Sequence, residues 1–169
     1  MPRWNDHIAC DGTVYSLRHL DDRTHTYRLR ATILRADTDV MVRVRIGAHA
    51  FTRNPKAGEF FRPCDVYSGD GEGRLFCLSR WEFSKDLPRI AADLLERNCW
   101  QTDKNHVLFS RAQTQAGEEY AIFFGLMGAN KGPPACINMS IWSAHPRAGA
   151  SVRTKGKPVK FRDLLRSRL

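Results

Sequence analysis

The chain has 169 residues, 42% hydrophobic and 27% charged. These values are typical of one globular domain and exclude a collagen-like fibre, a coiled coil or a disordered tail. The unusual property is the charge, because 27 Lys and Arg residues against 18 Asp and Glu residues give a formal net charge of +9. A charge of this size predicts a polyanionic partner, with nucleic acid ahead of an anionic membrane surface.

The first third of the chain carries β patterns. Apolar and polar residues alternate loosely over 14–20 and 26–34, with a turn between the two segments. From 40 to 46 the alternation is strict, so that four β-branched residues share one face and Arg43 and Arg45 lie on the other. Strict period-two alternation indicates a half-buried strand. We therefore expect these three segments to form an antiparallel meander.

The middle of the chain predicts a loop, a strand and a helix. Residues 54–73 are rich in Gly, Pro, Asn and Asp, and 74–83 resemble a strand. Ser84 is suited to cap a helix, and apolar residues from Leu87 to 95 then recur at helical spacing. Pro88 falls in the first turn, where a missing N–H is tolerated. The spacing predicts one main helix over 84–98.

The last third predicts a second meander followed by a basic tail. Strand candidates cover 99–102, 106–112, 119–127 and 136–143. From 147 to 169 there are eight basic residues and one acidic residue, so this segment alone carries +7 of the net +9. The predicted fold class is α+β, with two antiparallel β-meanders around one main helix and a short basic C-terminal helix or arm. We expect a domain over 1–148 and a basic arm over 149–169.

The basic residues are the strongest functional signal. Lys and Arg side chains that neutralise phosphates release counterions, which is the sequence-independent part of nucleic-acid binding. We expect phosphate contacts from the tail and from the arginine-bearing strand face. The predicted binding residues are Arg43, Arg45, Arg53, Arg147, Arg153, Lys155, Lys157, Lys160 and Arg162. A solubilising terminus without a partner is the alternative.

Two histidines suggest a second chemistry. His49 precedes Arg53 by four residues, and His145 lies two residues before Arg147, each near a predicted strand end. A metal-free ribonuclease needs a base for the 2′-hydroxyl, an acid for the leaving oxygen and a cation for the phosphate. His49 and His145 could supply the acid and the base. The alternative is that they are unrelated surface histidines.

The cysteines do not predict a metal site. There are five, and no two have the CxxC spacing that structural zinc sites usually use. We expect reduced thiols, no metal and no cofactor. The sequence has no phosphate-binding loop with its Lys-Ser/Thr pair, no zinc-deaminase signature and no nucleophile elbow. Without a signal-peptide pattern or an apolar run long enough to span a bilayer, we expect a cytoplasmic location.

Three stretches carry a resemblance. Residues 80–88, 120–124 and 157–161 resemble a group of small uncharacterised bacterial proteins. The resemblance covers the second half of the chain and implies a bacterial cytosolic origin. It implies no activity, cofactor or catalytic residue.

Three functions therefore stay open. The leading one is a nucleic-acid-binding protein, with RNA slightly ahead of DNA, that contacts phosphates through the basic C-terminal arm. The second is a toxin-like ribonuclease that uses His49 and His145. The third is a protein-interaction or regulatory module with an acidic protein partner. None of the three requires a membrane.

Overall fold

The computed structural model describes residues 3–33, 36–102, 108–113, 117, 119–128, 136–146 and 154–169. Within these ranges the side chains are described except for 102, 108–113, 145–146 and 154–156. Arg147 and Arg153, which are predicted binding residues, lie outside the described part of the chain. Of His145 and Lys155 only the backbone is described.

The described residues form twelve strands and three short α-helices. The strands are β1 (His7–Ile8), β2 (Val14–Tyr15), β3 (Arg23–Leu29), β4 (Thr38–Ile46), β5 (Thr52–Arg53), β6 (Val66–Tyr67), β7 (Arg74–Phe76), β8 (Asn98–Thr102), β9 (Leu108–Gln113), β10 (Glu119–Met127), β11 (Cys136–Pro146) and β12 (Thr154–Lys160). The helices are α1 (Leu78–Ser84), α2 (Leu87–Ala92) and α3 (Phe161–Arg166). Short 3₁₀ helices lie at Arg18–Leu20, Ala48–Ala50, Pro63–Asp65 and Asp93–Glu96.

One large sheet organises the fold. Its seven strands run in the order β12-β8-β9-β10-β11-β4-β3. All neighbours pair antiparallel except β11 and β4, which pair parallel from Cys136 opposite Met41 to Ile141 opposite Ile46. The α+β class is confirmed, but the arrangement of two meanders around one main helix is wrong. The parallel β4–β11 pair joins β3 and β4 to the second predicted meander in a single mixed sheet. The expected first strand over 14–20 is wrong, because it forms only β2, which pairs with β1 in a separate sheet, and a 3₁₀ helix.

The predicted helix over 84–98 is shorter than expected: α2 covers Leu87–Ala92, a 3₁₀ helix follows at Asp93–Glu96, and Asn98 already begins β8. Helix α1 begins at Leu78, so the predicted strand over 74–83 ends at Phe76, and α2 begins only at Leu87. Pro88 explains the break, because it has no N–H for the carbonyl of Ser84 and its ring would clash with that carbonyl in a continuous helix. The chain therefore turns at 85–86 and starts a new helix.

The core lies on one face of the large sheet, between the sheet and the helices. Ile90 of α2 and Phe124 of β10 are fully buried. Phe161 and Leu165 of α3 are also fully buried, and the Phe161 ring makes edge contacts with Tyr27 and Phe124. A short basic C-terminal helix is thus present, and its apolar side is docked in the core.

Two of the five cysteines form a disulfide. Cys10 and Cys64 are bonded with their Cα atoms 5.3 Å apart, and the bond links the β1–β2 hairpin to the 3₁₀ helix Pro63–Asp65. The expectation of reduced thiols is wrong for this pair and holds for Cys77, Cys99 and Cys136. Within the described ranges, no helix has both the length and the apolar character needed to cross a membrane.

Candidate nucleic-acid interface

The second face of the large sheet is turned toward solvent. On β4 the core side is formed by alternate residues such as Val42 and Val44, so Arg43 and Arg45 point the other way and are exposed. The parallel register places Asn138 beside Arg43 and Ser140 beside Arg45. We call this side, with Arg43, Arg45, Trp100, Phe123 and Trp142, the open face.

Trp142 is the most exposed aromatic residue of the open face. Its side chain keeps 48% of its surface accessible. The β10–β11 register shifts between Phe123 and Phe124, which leaves Trp142 without a partner as the extra residue of a β-bulge. Its ring lies over Gly125, where an added Cβ would come within 2.7 Å of the indole. A glycine at this position therefore lets the indole lie against the sheet with its outer side accessible.

A row of aromatic positions crosses the same face. Trp100 on β8 pairs with Phe109 on β9, which in turn pairs with Phe123 on β10. Trp100 and Phe123 are half-buried; Phe123 lies between the core residues Ile122 and Phe124, and Trp100 follows the buried Cys99. The register thus places aromatic residues at paired positions on three successive strands, and Trp142 lies on the next strand.

The charge of the open face is positive. Arg43 forms no ion pair with any residue that the structure describes, whereas Arg45 Nε lies 3.0 Å from Asp22 Oδ2. Asp22 also pairs with Arg3 at 3.0 Å, so one carboxylate serves two guanidinium groups. An exposed ion pair of this kind is screened and worth little, and it leaves Arg45 able to contact another anion.

Other predicted binding residues lie on β5, β12 and α3. Arg53 forms a two-pronged ion pair with Glu59, with Nη1 2.7 Å from Oε2, and this bond lowers the Glu59 pKa to about 2. Lys160 donates to the carbonyl of Glu96, and Arg162 Nη1 lies 2.9 Å from Glu96 Oε2. Lys157 is exposed on β12, and the backbone of Lys155 pairs with Gln101. The tail residues thus belong to a sheet edge and a docked helix.

His49 lies in the 3₁₀ helix that follows β4, and its partner is a carboxylate. The imidazole Nε2 is 3.3 Å from Glu72 Oε2, and both side chains are exposed. The carbonyl of His49 accepts a 3.0 Å hydrogen bond from Arg80, which also donates to the carbonyl of Thr52 at 2.7 Å. Burial lowers the pKa of Arg80. This half-buried guanidinium fixes the loop that carries His49.

Glu72 is one of the site residues that the sequence interpretation missed. It lies in the loop before β7, and its Oε2 is 4.0 Å from a nitrogen of the buried Arg74. The only sequence signal was a pair of acidic residues, Asp70 and Glu72, set between glycines. His145 occupies a β11 position opposite Ala121. The described partner of the His49 side chain is Glu72, and this contact does not test whether His49 also pairs with His145.

A pocket of about 500 Å³ opens at the end of the open face. Trp4 lines it and donates from Nε1 to the carbonyl of Ile46 at 3.1 Å. Asp70 Oδ1 accepts the Glu72 N–H at 3.0 Å, while Asp70 Oδ2 is shielded from solvent and has no hydrogen-bond partner among the described residues. The lining residues are Trp4, Gly47, Ala48, His49, Gly69, Asp70, Glu72 and Trp142. We call this cavity the end pocket.

The described residues offer one cluster with metal-ligand spacing, and its chemistry does not suit a metal. Donor atoms of Cys10, Cys64 and Asp65 lie within 4.8 Å of one another. The two sulfurs are bonded to each other, so neither is a thiolate. We therefore assign no metal to this cluster.

The profile of the YjaZ family matches residues 7–169. The chain belongs to the YjaZ family. The resemblance to a bacterial family is confirmed, and the YjaZ match extends it from the second half to nearly the whole chain. No curated protein and no solved structure matches the sequence.

For a YjaZ-family chain, the arrangement offers two kinds of chemistry. The open face combines exposed cationic and aromatic groups, which suits phosphates and unstacked bases. The end pocket adds an imidazole next to a carboxylate, two groups that can serve as acid and base.

Proposed function

We propose that the protein binds single-stranded nucleic acid, with RNA ahead of DNA, on the open face of its large sheet. The observation that carries the proposal is the exposed Trp142 on the same solvent-facing surface as Arg43 and Arg45. Stacking of a base on an aromatic side chain contributes about 1–3 kcal/mol. Arg43, which forms no ion pair within the described ranges, is available to a phosphate.

A single strand fits this surface better than a duplex. Bases that are paired and stacked in a duplex cannot stack on Trp142, whereas single strands splay their bases onto aromatic side chains. RNA is placed first because Asn138 and Ser140, adjacent to Arg43 and Arg45, present polar groups that can hydrogen-bond a 2′-hydroxyl. The basic C-terminal residues, on β12 and α3, then lie beside the main contact surface rather than forming it.

The test is a fluorescence-anisotropy titration of RNA and DNA decamers over a range of salt concentrations. Each phosphate contact with a single strand contributes about −0.7 to the slope of log K against log salt. We expect Arg43→Ala to make the slope shallower by about 0.7. Trp142→Ala should weaken binding about 5- to 150-fold with the slope unchanged.

Arg18→Ala is the matched control, because Arg18 is exposed on a 3₁₀ helix that packs against α2, on the helical side of the sheet. It should leave the affinity and the slope as they are. Absence of binding at low salt contradicts the proposal. Equal effects of Arg43→Ala and Arg18→Ala would show that the open face is not the contact surface.

A ribonuclease is the second candidate, favoured by the 3.3 Å contact between His49 and Glu72 beside the open face. The Glu72 carboxylate would take the proton of a 2′-hydroxyl, whose oxygen attacks the adjacent phosphorus. The His49 imidazolium would protonate the 5′-oxygen that leaves, so the products are a 2′,3′-cyclic phosphate and a 5′-hydroxyl. Arg74, 4.0 Å from Glu72, would hold the carboxylate in position.

RNA cleavage in EDTA tests this chemistry. We expect His49→Ala and Glu72→Gln each to abolish it, and a substrate with a single 2′-deoxy residue to resist cleavage at that site. His145→Ala, measured in the same assay, determines whether the second histidine contributes. Cleavage that survives both His49→Ala and Glu72→Gln would exclude the assignment.

A further inference from the structure

The end pocket has walls suited to a flat aromatic ligand. Trp4 and Trp142 both line it, and the volume of about 500 Å³ is ample for one planar ring system. Trp142 belongs to both the open face and the end pocket, so a chain lying on the face can place one unit inside the cavity. The pocket is therefore a continuation of the proposed binding surface.

The polar groups of the end pocket are mainly hydrogen-bond acceptors. The carboxylates of Asp70 and Glu72 both line it. Asp70 Oδ2 is withdrawn from solvent and accepts no hydrogen bond from any described residue. A buried carboxylate oxygen without a donor is costly, so a rotation of the Asp70 side chain that turns this oxygen toward a ligand N–H would gain a strong hydrogen bond. The Asp70 carboxylate also disfavours a phosphate in the interior of this cavity, whereas His49 and Glu72 are exposed at its rim.

The pattern of donors separates the four bases. An ionised carboxylate only accepts, and its two oxygens match two parallel N–H donors. Guanine offers adjacent N1–H and N2–H donors on its Watson–Crick edge. Uracil has one N–H between two carbonyls, and adenine and cytosine each have one amino group next to a ring acceptor.

We propose that the end pocket binds a guanine base of a single strand that lies on the open face, with the Asp70 carboxylate accepting from N1–H and N2–H. The inference rests on the proposed nucleic-acid binding and adds a base preference to it. Trp142 stacks on the base and Glu72 supplies a further acceptor at the rim. The phosphates stay outside, where Arg43 and Arg45 lie.

The experiment compares three RNA decamers of uridine that carry one central guanosine, inosine or adenosine. Inosine is the sharpest probe because it lacks only the N2 amino group of guanosine. A good two-pronged contact gives discrimination of about 5- to 150-fold, so the guanosine decamer should bind more tightly than the others by a factor in that range. Asp70→Asn should remove the preference while it leaves binding of the adenosine decamer nearly unchanged.

Two variants separate the pocket from the face. Asp93→Asn is the matched control, since Asp93 is an exposed acid on the 3₁₀ helix after α2, and it should keep the guanosine preference. Arg43→Ala should weaken all three decamers equally. Circular dichroism of each variant verifies that it is folded.

The possible failures are distinguishable. Decamers that bind without a guanosine preference overturn the guanine pocket and leave the proposed function intact. If no decamer binds, the proposed function fails. Quenching of tryptophan fluorescence by free nucleosides then tests whether the end pocket still binds guanine. Quenching by guanosine at concentrations where inosine has no effect supports it, and equal or absent quenching overturns it.

Discussion

Replacing Phe161 with Ala tests whether the basic C-terminal segment is part of the folded body. Phe161 is the first residue of α3, is fully buried, and contacts the rings of Tyr27 and Phe124 at centroid distances of 5.9 and 5.8 Å. Truncation of a fully buried Phe costs about 3–5 kcal/mol. For a chain of this size each kcal/mol lowers the melting temperature by about 2–4 °C, so we expect a decrease of about 6–20 °C.

Urea unfolding followed by circular dichroism measures the change in the free energy of unfolding. Leu169→Ala is the control, because Leu169 lies at the end of the same segment and is 46% exposed. It should change the free energy by no more than about 0.5 kcal/mol. If Phe161→Ala were as mild as this control, α3 would not be docked in solution and the basic segment would be the free arm that its charge suggests.

Two further predictions concern stability. Thiol titration of the denatured, unreduced protein should find three reactive cysteines, and five would contradict the disulfide. The double substitution Cys10→Ser and Cys64→Ser should lower the free energy of unfolding by about 4 kcal/mol, because the bond closes a 54-residue loop. Burial lowers the pKa values of His7, His19 and His25. The folded protein then binds fewer protons than the unfolded chain just below pH 6.5. The urea concentration at the unfolding midpoint should therefore decrease as the pH is lowered from 7 to 5. A midpoint that rises on acidification would refute this reasoning.

The local pattern of apolar and polar residues was sufficient to predict the strands in which that pattern is strong. The strict alternation over 40–46 predicts most of β4, and the apolar run over 119–127 coincides with β10. The segment after Phe76 misled the interpretation because its apolar residues suit a strand and a helix equally well. Tertiary packing determines the outcome, since Trp81 on α1 contacts the ring of Tyr15 on β2, which is distant in sequence.

The candidate site could be predicted only in part. Arg43 and Arg45 were placed on a solvent-facing strand face from local alternation, and that orientation is confirmed. The position of Trp142 beside them depends on the parallel register of two strands far apart in sequence, which no local pattern encodes. The contact between His49 and Glu72 joins two loops for the same reason. The sequence left open whether the basic C-terminal segment forms a helix or an arm, and the burial of Phe161 and Leu165 decides for a docked helix over Phe161–Arg166.

The parallel β4–β11 pair also has a consequence for biosynthesis. Met41 of β4 pairs with Cys136, which leaves the ribosome about 95 residues later. At a synthesis rate of about 5–20 residues per second, β4 is without its neighbour β11 for on the order of 5–20 seconds. During that time its Val-rich strand has an unpaired edge, which is a template for pairing with other chains. The outward-facing Arg43 and Arg45 place charge along this waiting strand, so the same two arginines would act as gatekeepers against aggregation before the sheet is complete.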